Sequence, residues 1–174
     1  MTAMTINFTP DKLQIQSFSA AFADEVCRLI LSIQREEFGL PVTLQGQADL
    51  LNIPDFYQKG NGNFWVAMVE GHVVGSIALL DIGNAQAALR KMFVAPEFRG
   101  QQFGVASTLL KTCMAWATAK QLREVFLGTT VQFQAAHRFY EKNGFEEIDQ
   151  NTLPPTFPIM AVDTKFYRRA MELA

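Results

Sequence analysis

Two tight turns in the middle of the chain constrain its fold most. Phe64-Trp-Val-Ala-Met-Val69 is an apolar run that stops at Glu70-Gly71. Val73-Val-Gly-Ser-Ile-Ala-Leu-Leu80 is a second, and Gly83-Asn84 parts it from a third, Ala88-Leu-Arg-Lys-Met-Phe-Val94, which Pro96 ends. Turns this short fold each run back on the one before, so three strands pair antiparallel at the centre of the chain.

The flanks read as alternating elements. Leu13 and Ile15 alternate with Gln14 and Gln16, a half-buried strand from Leu13 to Phe18. Ser19 is placed as an N-cap, and Phe22, Val26, Leu29, Ile30 and Ile33 recur at helical spacing until Gly39 and Pro41. A short helix fits around Asp49. From Gly104 to about Lys120 the pattern is helical again, with Ala106, Leu109, Leu110, Cys113 and Ala117 on one face. Glu124 to Thr130 reads as a strand, and Phe133 to Asn143 as a helix stopped by Gly144. A short strand near Phe145–Ile148 and a longer one near Pro158–Arg168 complete the order. The class is α+β with a mixed sheet, because hairpins force antiparallel pairs and the later helices permit a parallel crossover.

Composition sets the bounds. The 174 residues suit one domain, 1–174, with its core over about 13–170. Apolar residues at 49% and charged residues at 18% supply a packed core and argue against disorder. A net charge of −2 without a basic run argues against a nucleic-acid partner. No apolar stretch reaches the roughly eighteen residues of a membrane helix, and the first residues lack a basic segment followed by an apolar one. A cytoplasmic location is therefore expected. Cys27 and Cys113 lie inside helical patterns and read as reduced core thiols rather than a disulfide or metal site.

The chemistry concentrates in Lys91-Met-Phe-Val-Ala-Pro-Glu-Phe-Arg-Gly-Gln-Gln-Phe-Gly-Val105, where a strand passes through a loop into a helix. The first turn of a helix leaves backbone N–H groups unpaired at the positive end of its dipole. Gly100 and Gly104 let that backbone approach a phosphate, and Arg99 adds a full charge. On these residues alone the segment is either a strand–loop–helix anion cradle or a plain strand-to-helix turn. It is not a Walker loop, since no Gly-Lys-Ser/Thr follows, nor G-x-G-x-x-G.

The segment resembles the acyl-CoA loop of the GNAT N-acetyltransferase superfamily, Arg/Gln-x-x-Gly-x-Gly/Ala. Arg99 and Gly104 match its ends, while Gln102 stands at the first glycine position. Downstream, Ala135-Ala-His-Arg-Phe-Tyr-Glu-Lys-Asn-Gly-Phe145 is similar to the family's Ala-x-x-x-Tyr-Glu-Lys-x-Gly-Phe, with Ala136, Tyr140, Glu141, Lys142, Gly144 and Phe145 in register. Phe133 replaces an asparagine that many members carry. The resemblance implies a GNAT-like acyl-CoA transferase fold, with a central mixed, mostly antiparallel twisted sheet of about seven strands flanked by helices.

It also implies an activity: transfer of the acetyl group of acetyl-CoA to a primary amine by direct attack on the thioester, with no metal. The backbone of Met92, Phe93 and Val94 would pair with the pantetheine arm. The pyrophosphate would meet the amides of Gln101, Gln102, Phe103, Gly104 and Val105 beside Gly100, with Arg99 at the entrance. Tyr140 would be the general acid for the departing thiolate; the other reading is a half-buried helix residue whose hydroxyl is satisfied elsewhere. His137, one turn earlier, is a weaker candidate. No general base stands out, because Ala88 fills the strand position where several members carry a glutamate. Asp81, Glu36 and Glu37 are base candidates or ordinary surface acids. The segment 34–63 would shape the acceptor pocket, where Phe38, Phe56, Tyr57 and the acids Glu36, Glu37, Asp49 and Asp55 suit a cationic, partly apolar acceptor, or else simply anchor a loop. The expected partner is a small-molecule or peptide amine, with neither nucleic acid nor membrane, and a homodimer is left open. Two alternatives stand: a non-catalytic acyl-CoA-binding module, and a transferase of another acyl-CoA.

Overall fold

A computed structural model describes residues 8–131 and 133–172. The central hairpins form as the turns require. β2 (Asn63–Val69), β3 (His72–Gly83) and β4 (Gln86–Val94) pair antiparallel in sequence order, and β1 (Leu13–Ser17) adds antiparallel to β2. β5 (Glu124–Thr129) joins β4 in parallel, and β7 (Lys165–Ala170) lies antiparallel between β5 and β6 (Glu146–Ile148). The seven-stranded order is β1-β2-β3-β4-β5-β7-β6, with β4–β5 its parallel pair. The α+β class and the mostly antiparallel sheet expected from the sequence are both present.

Helices cover the two faces. α4 (Val105–Ala119) packs Leu109, Leu110, Cys113 and Ala117 onto one face against Ala67, Ile77, Leu79 and Val125. α1 (Ala23–Ser32), α2 (Ala48–Leu51) and α3 (Ile53–Tyr57) cover the other, where Val26, Ile30, Ile53 and Tyr57 meet Phe64, Val66 and Ala78. α5 (Gln134–Lys142) follows β5. Both cysteines are free, and burial pushes the Cys113 thiol up from its ordinary value. No helix among the described residues is long and apolar enough to cross a membrane.

Two local expectations need correction. Ser19 makes no side-chain cap; a 3₁₀ turn at Ala20–Phe22 precedes α1, which runs on into a π turn at Ile33–Glu37. The last strand begins at Lys165, because residues 158–164 form an irregular connection whose Ile159, Met160 and Val162 stay exposed. Apolar content there reflects an overhanging loop rather than a buried ladder.

The feature that positions the site is the parting of β4 from β5. Only Gln86–Ala88 of β4 pair with β5, opposite Glu124–Phe126. Between the pairs Ser76–Phe93 and Ala78–Arg90, β4 holds one more residue than β3, and Lys91 there has φ of 51°. Such a bulge bends a strand. Ser76 Oγ supports it by donating to the Lys91 carbonyl at 2.7 Å. Leu127 to Thr129 pair with β7 on their other side, so the two parallel strands open a wedge toward their C-terminal ends.

Candidate functional site

The loop from Arg99 to Gly104 stands at the rim of this wedge. Gly104 caps α4 in the left-handed region with φ of 66°, and the helix N-terminus has no side-chain cap. Gly100 has φ of 108°, which demands glycine; a Cβ there would also lie 2.6 Å from Gln102 Oε1, the end of a side chain that can move aside. Gln102 is not among the positive-φ residues and carries no such strain at the position where the family pattern has glycine. The Phe103 and Gly104 amides make long bonds to the Gly100 carbonyl, 3.2 and 3.3 Å. The amides of Gln101, Gln102 and Val105 have no acceptor among the described residues. Phe103 fixes the loop edge-on to Phe8 and Phe98. Unpaired amides at a helix dipole's positive end fit a pyrophosphate.

Arg99 is placed differently from the simple expectation of a free charge. Its Nε donates to the Val94 carbonyl at 2.9 Å and its Nη2 to Glu37 at 2.7 Å, so it ties the cradle to the π turn after α1. The Val94 carbonyl is thereby occupied, and the Ala95 amide bonds Val74. Met92 and Phe93 are the β4 residues left nearest the open wedge.

Tyr140 and Met92 meet there. The buried Tyr140 hydroxyl points at the Met92 thioether, 3.9 Å away, and burial pushes the phenol above its usual range. The ring is held by Phe139, Phe145 and Tyr167. The hydroxyl has no oxygen or nitrogen partner among the described residues. His137 is buried and its Nε2 lies 2.6 Å from the Thr130 carbonyl, which anchors α5 to the end of β5. Phe133 stacks on Phe38 with centroids 4.1 Å apart, an aromatic contact where the family pattern carries an asparagine.

The acids expected from the sequence to serve the site do not converge. Asp81 holds a turn by accepting from the Asn61 and Gly83 amides. Glu36 accepts from Ser32, Glu37 from Arg99, and Asp55 from Asn52. Asp49 is buried and already neutralised: Tyr57 donates to it at 2.6 Å, Lys91 Nζ lies at 3.4 Å and Arg90 Nη2 at 4.0 Å. The face expected to attract a cation thus presents two cations to one carboxylate. Burial holds the Lys91 ammonium below the usual lysine range, against the raising pull of Asp49.

Two functional candidates were missed. Arg90, with a side chain 13% exposed, lies against the Phe56 and Tyr57 rings and beneath Met160. Asp163, on the β6–β7 connection, lies across β5 at Gly128, where a Cβ would come 2.5 Å from its Oδ2. It accepts the Met160 amide at 3.0 Å and has no ion pair within 4.0 Å among the described residues; burial pushes its carboxyl up. Adjacent Arg90-Lys91 inside an otherwise apolar run was the available signal. For Asp163 there was none.

Comparison with known proteins gives a consistent picture. Residues 28–145 match the Acetyltransferase (GNAT) family. A crystal structure of an acetyltransferase of GNAT family from Staphylococcus aureus Mu50 superposes with a TM-score of 0.87 at 34% identity, covering 92% of this chain and 99% of that one. The N-acetylaspartate synthetase of Danio rerio is 36% identical over 111 residues, 61% of this chain and 39% of its own length. The chain therefore spans well under half of that relative. The PaiA N-acetyltransferase of Thermoplasma acidophilum, solved in complex with coenzyme A, shares the fold at a TM-score of 0.70 and 16% identity, covering 91% of this chain and 98% of that one.

Proposed function

The chain belongs to the acetyltransferase (GNAT) family, and on that premise we propose that it transfers the acetyl group of acetyl-CoA to a primary amine of a small molecule. The observation that carries this is the Tyr140 hydroxyl against Met92 in the wedge between β4 and β5, one strand end away from a cradle of unpaired amides. Acetyl-CoA supplies the activated acetyl group. The amides of Gln101, Gln102 and Val105 hold its pyrophosphate, and the backbone of Met92 and Phe93 steers the pantetheine arm. Val94 contributes less than the family pattern implies, because Arg99 occupies its carbonyl.

The proton balance assigns the remaining roles. An ammonium must lose two protons to become an amide nitrogen, and the departing thiolate must gain one. Asp163 takes the first: burial raises the affinity of its carboxylate for a proton, the direction that favours a base. Tyr140, kept protonated by burial, gives its proton to the thiolate and regains one from the new amide nitrogen. The C–N bond forms as the C–S bond breaks, and one proton reaches solvent from Asp163. A relative named N-acetylaspartate synthetase supports an amine of small-molecule size.

The test is amine-dependent release of free thiol from acetyl-CoA, scored by mass spectrometry of the acetylated amine. Tyr140→Phe should retain acetyl-CoA binding and lose about a hundredfold or more in kcat. Binding of acetyl-CoA with no thiol release from any amine would instead identify a non-catalytic acyl-CoA-binding module. Faster turnover of propionyl- or succinyl-CoA would identify another acyl donor.

A further inference from the structure

Arg90 is the least satisfied charged group in the interior of the acceptor face. Its side chain is 13% exposed, yet its hydrogen bond is to the thioether of Met160 at 3.5 Å, and the nearest carboxylate oxygen, on Asp49, lies 4.0 Å away. Asp49 has better partners in Tyr57 and Lys91, and Lys91 itself donates to Gln47 at 2.7 Å. A guanidinium has five N–H donors in a planar fork, and burying it without oxygen acceptors is costly. The rings of Phe56 and Tyr57 lie 5.7 and 5.9 Å from its Cζ, which stabilises the cation but accepts none of its hydrogen bonds.

The surroundings say what would complete it. Arg90 and Lys91 bring two positive charges and Asp49 one negative charge to the same face of β4, two residues from the Met92–Tyr140 contact. Asp163, on the β6–β7 connection, shares Met160 with Arg90: it accepts the Met160 amide, and it feels the Arg90 charge while staying beyond ion-pair distance of it. A ligand with a carboxylate at one end and an ammonium at the other would match the Arg90 fork and the Asp163 carboxylate at once.

We propose that Arg90, backed by Lys91, is a carboxylate-binding subsite and that the acceptor is a small amino acid-like molecule, a primary amine carrying a carboxylate. The subsite rests on the acetyltransferase reading above. Arg90 receives the carboxylate in a bidentate pair, while Phe56 and Met160 bound the space around it. The ammonium is left pointing to Asp163 and the wedge.

The experiment compares free amino acids with their carboxamides and their decarboxylated amines as acceptors for the full chain at saturating acetyl-CoA, by thiol release. The expected result is a preference of at least about tenfold in kcat/KM for the free carboxylate, expressed mainly in the acceptor KM. Arg90→Gln should shrink that preference to near unity with the KM for acetyl-CoA unchanged, and Arg90→Lys should restore part of it. Equal or better use of carboxamides or decarboxylated amines by the unmodified protein overturns the subsite while leaving the acetyltransferase intact. A preference that survives Arg90→Gln, in protein that still binds acetyl-CoA, overturns the role of Arg90. Should Arg90→Gln fail to fold, the series on the unmodified protein decides alone. No thiol release with any amine overturns the acetyltransferase reading, and the subsite with it.

Discussion

At the scale of single residues, backbone and titration each make a sharp demand. Gly100 has φ of 108°, a conformation that strains any residue with a Cβ. Gly100→Ala should therefore weaken acetyl-CoA binding by about five- to a hundredfold, from about 1–3 kcal/mol of backbone strain, while acceptor selectivity in the residual turnover is unchanged; isothermal titration reads the first and a substrate panel the second. Asp163 binds a proton more readily folded than unfolded. Its ionisation on rising pH therefore subtracts from stability, and Asp163→Asn should melt higher than the parent at neutral pH. As the proposed base it should also lose most turnover, and the acid limb of the parent's kcat/KM profile should vanish in the variant. A gain in melting temperature with unchanged turnover would place the base elsewhere. The Arg90-Lys91 pair was visible in sequence, but its shared face and the place of Asp163 were not, because strand alternation assigns sides only while the ladder is regular and says nothing of distant loops. The bulge at Lys91 turns consecutive cations onto one face, and the partner of Gly128 comes from a distant loop.

At the scale of elements, the closed end of the wedge depends on Glu124. Gln86 donates to one of its oxygens at 2.9 Å and Arg168 to the other, so one carboxylate joins β4, β5 and β7. These hydrogen bonds hold it below the usual glutamate range. A lowered folded value means stability that is present above the unfolded value and is lost as pH falls through the folded one. Glu124→Gln should cost about 1 kcal/mol or less at neutral pH, since the group is partly exposed, and should flatten the acid side of a stability–pH curve measured by denaturant titration. The hairpins, β5 and α4 were legible because glycine turns and the helical period fix them locally. β7 was not: Ile159, Met160 and Val162 supply strand-like apolar character to a loop that stays exposed.

At the scale of the whole molecule, order of elements and two separated segments were enough to place the chain in its family. The wedge itself needed the structure, because the extent of a parallel pairing is set by contacts far apart in sequence. Its two walls are brought together by long-range pairs: Arg99 to Glu37 beside the cradle, Phe38 on Phe133, and Tyr140 on Met92. Ligand seated between those walls stabilises only the folded state. Acetyl-CoA at about a hundredfold over its Kd should add roughly 2.7 kcal/mol, a rise of several degrees in Tm for a chain of this size.

Calorimetric titration of the full chain with acetyl-CoA, run beside a thermal melt, tests the central claim most directly. A one-to-one isotherm with the accompanying rise in Tm is the predicted result. No heat and no shift with either acetyl-CoA or free CoA would contradict it, and would mean that the cradle of amides and the wedge do not form an acyl-CoA site.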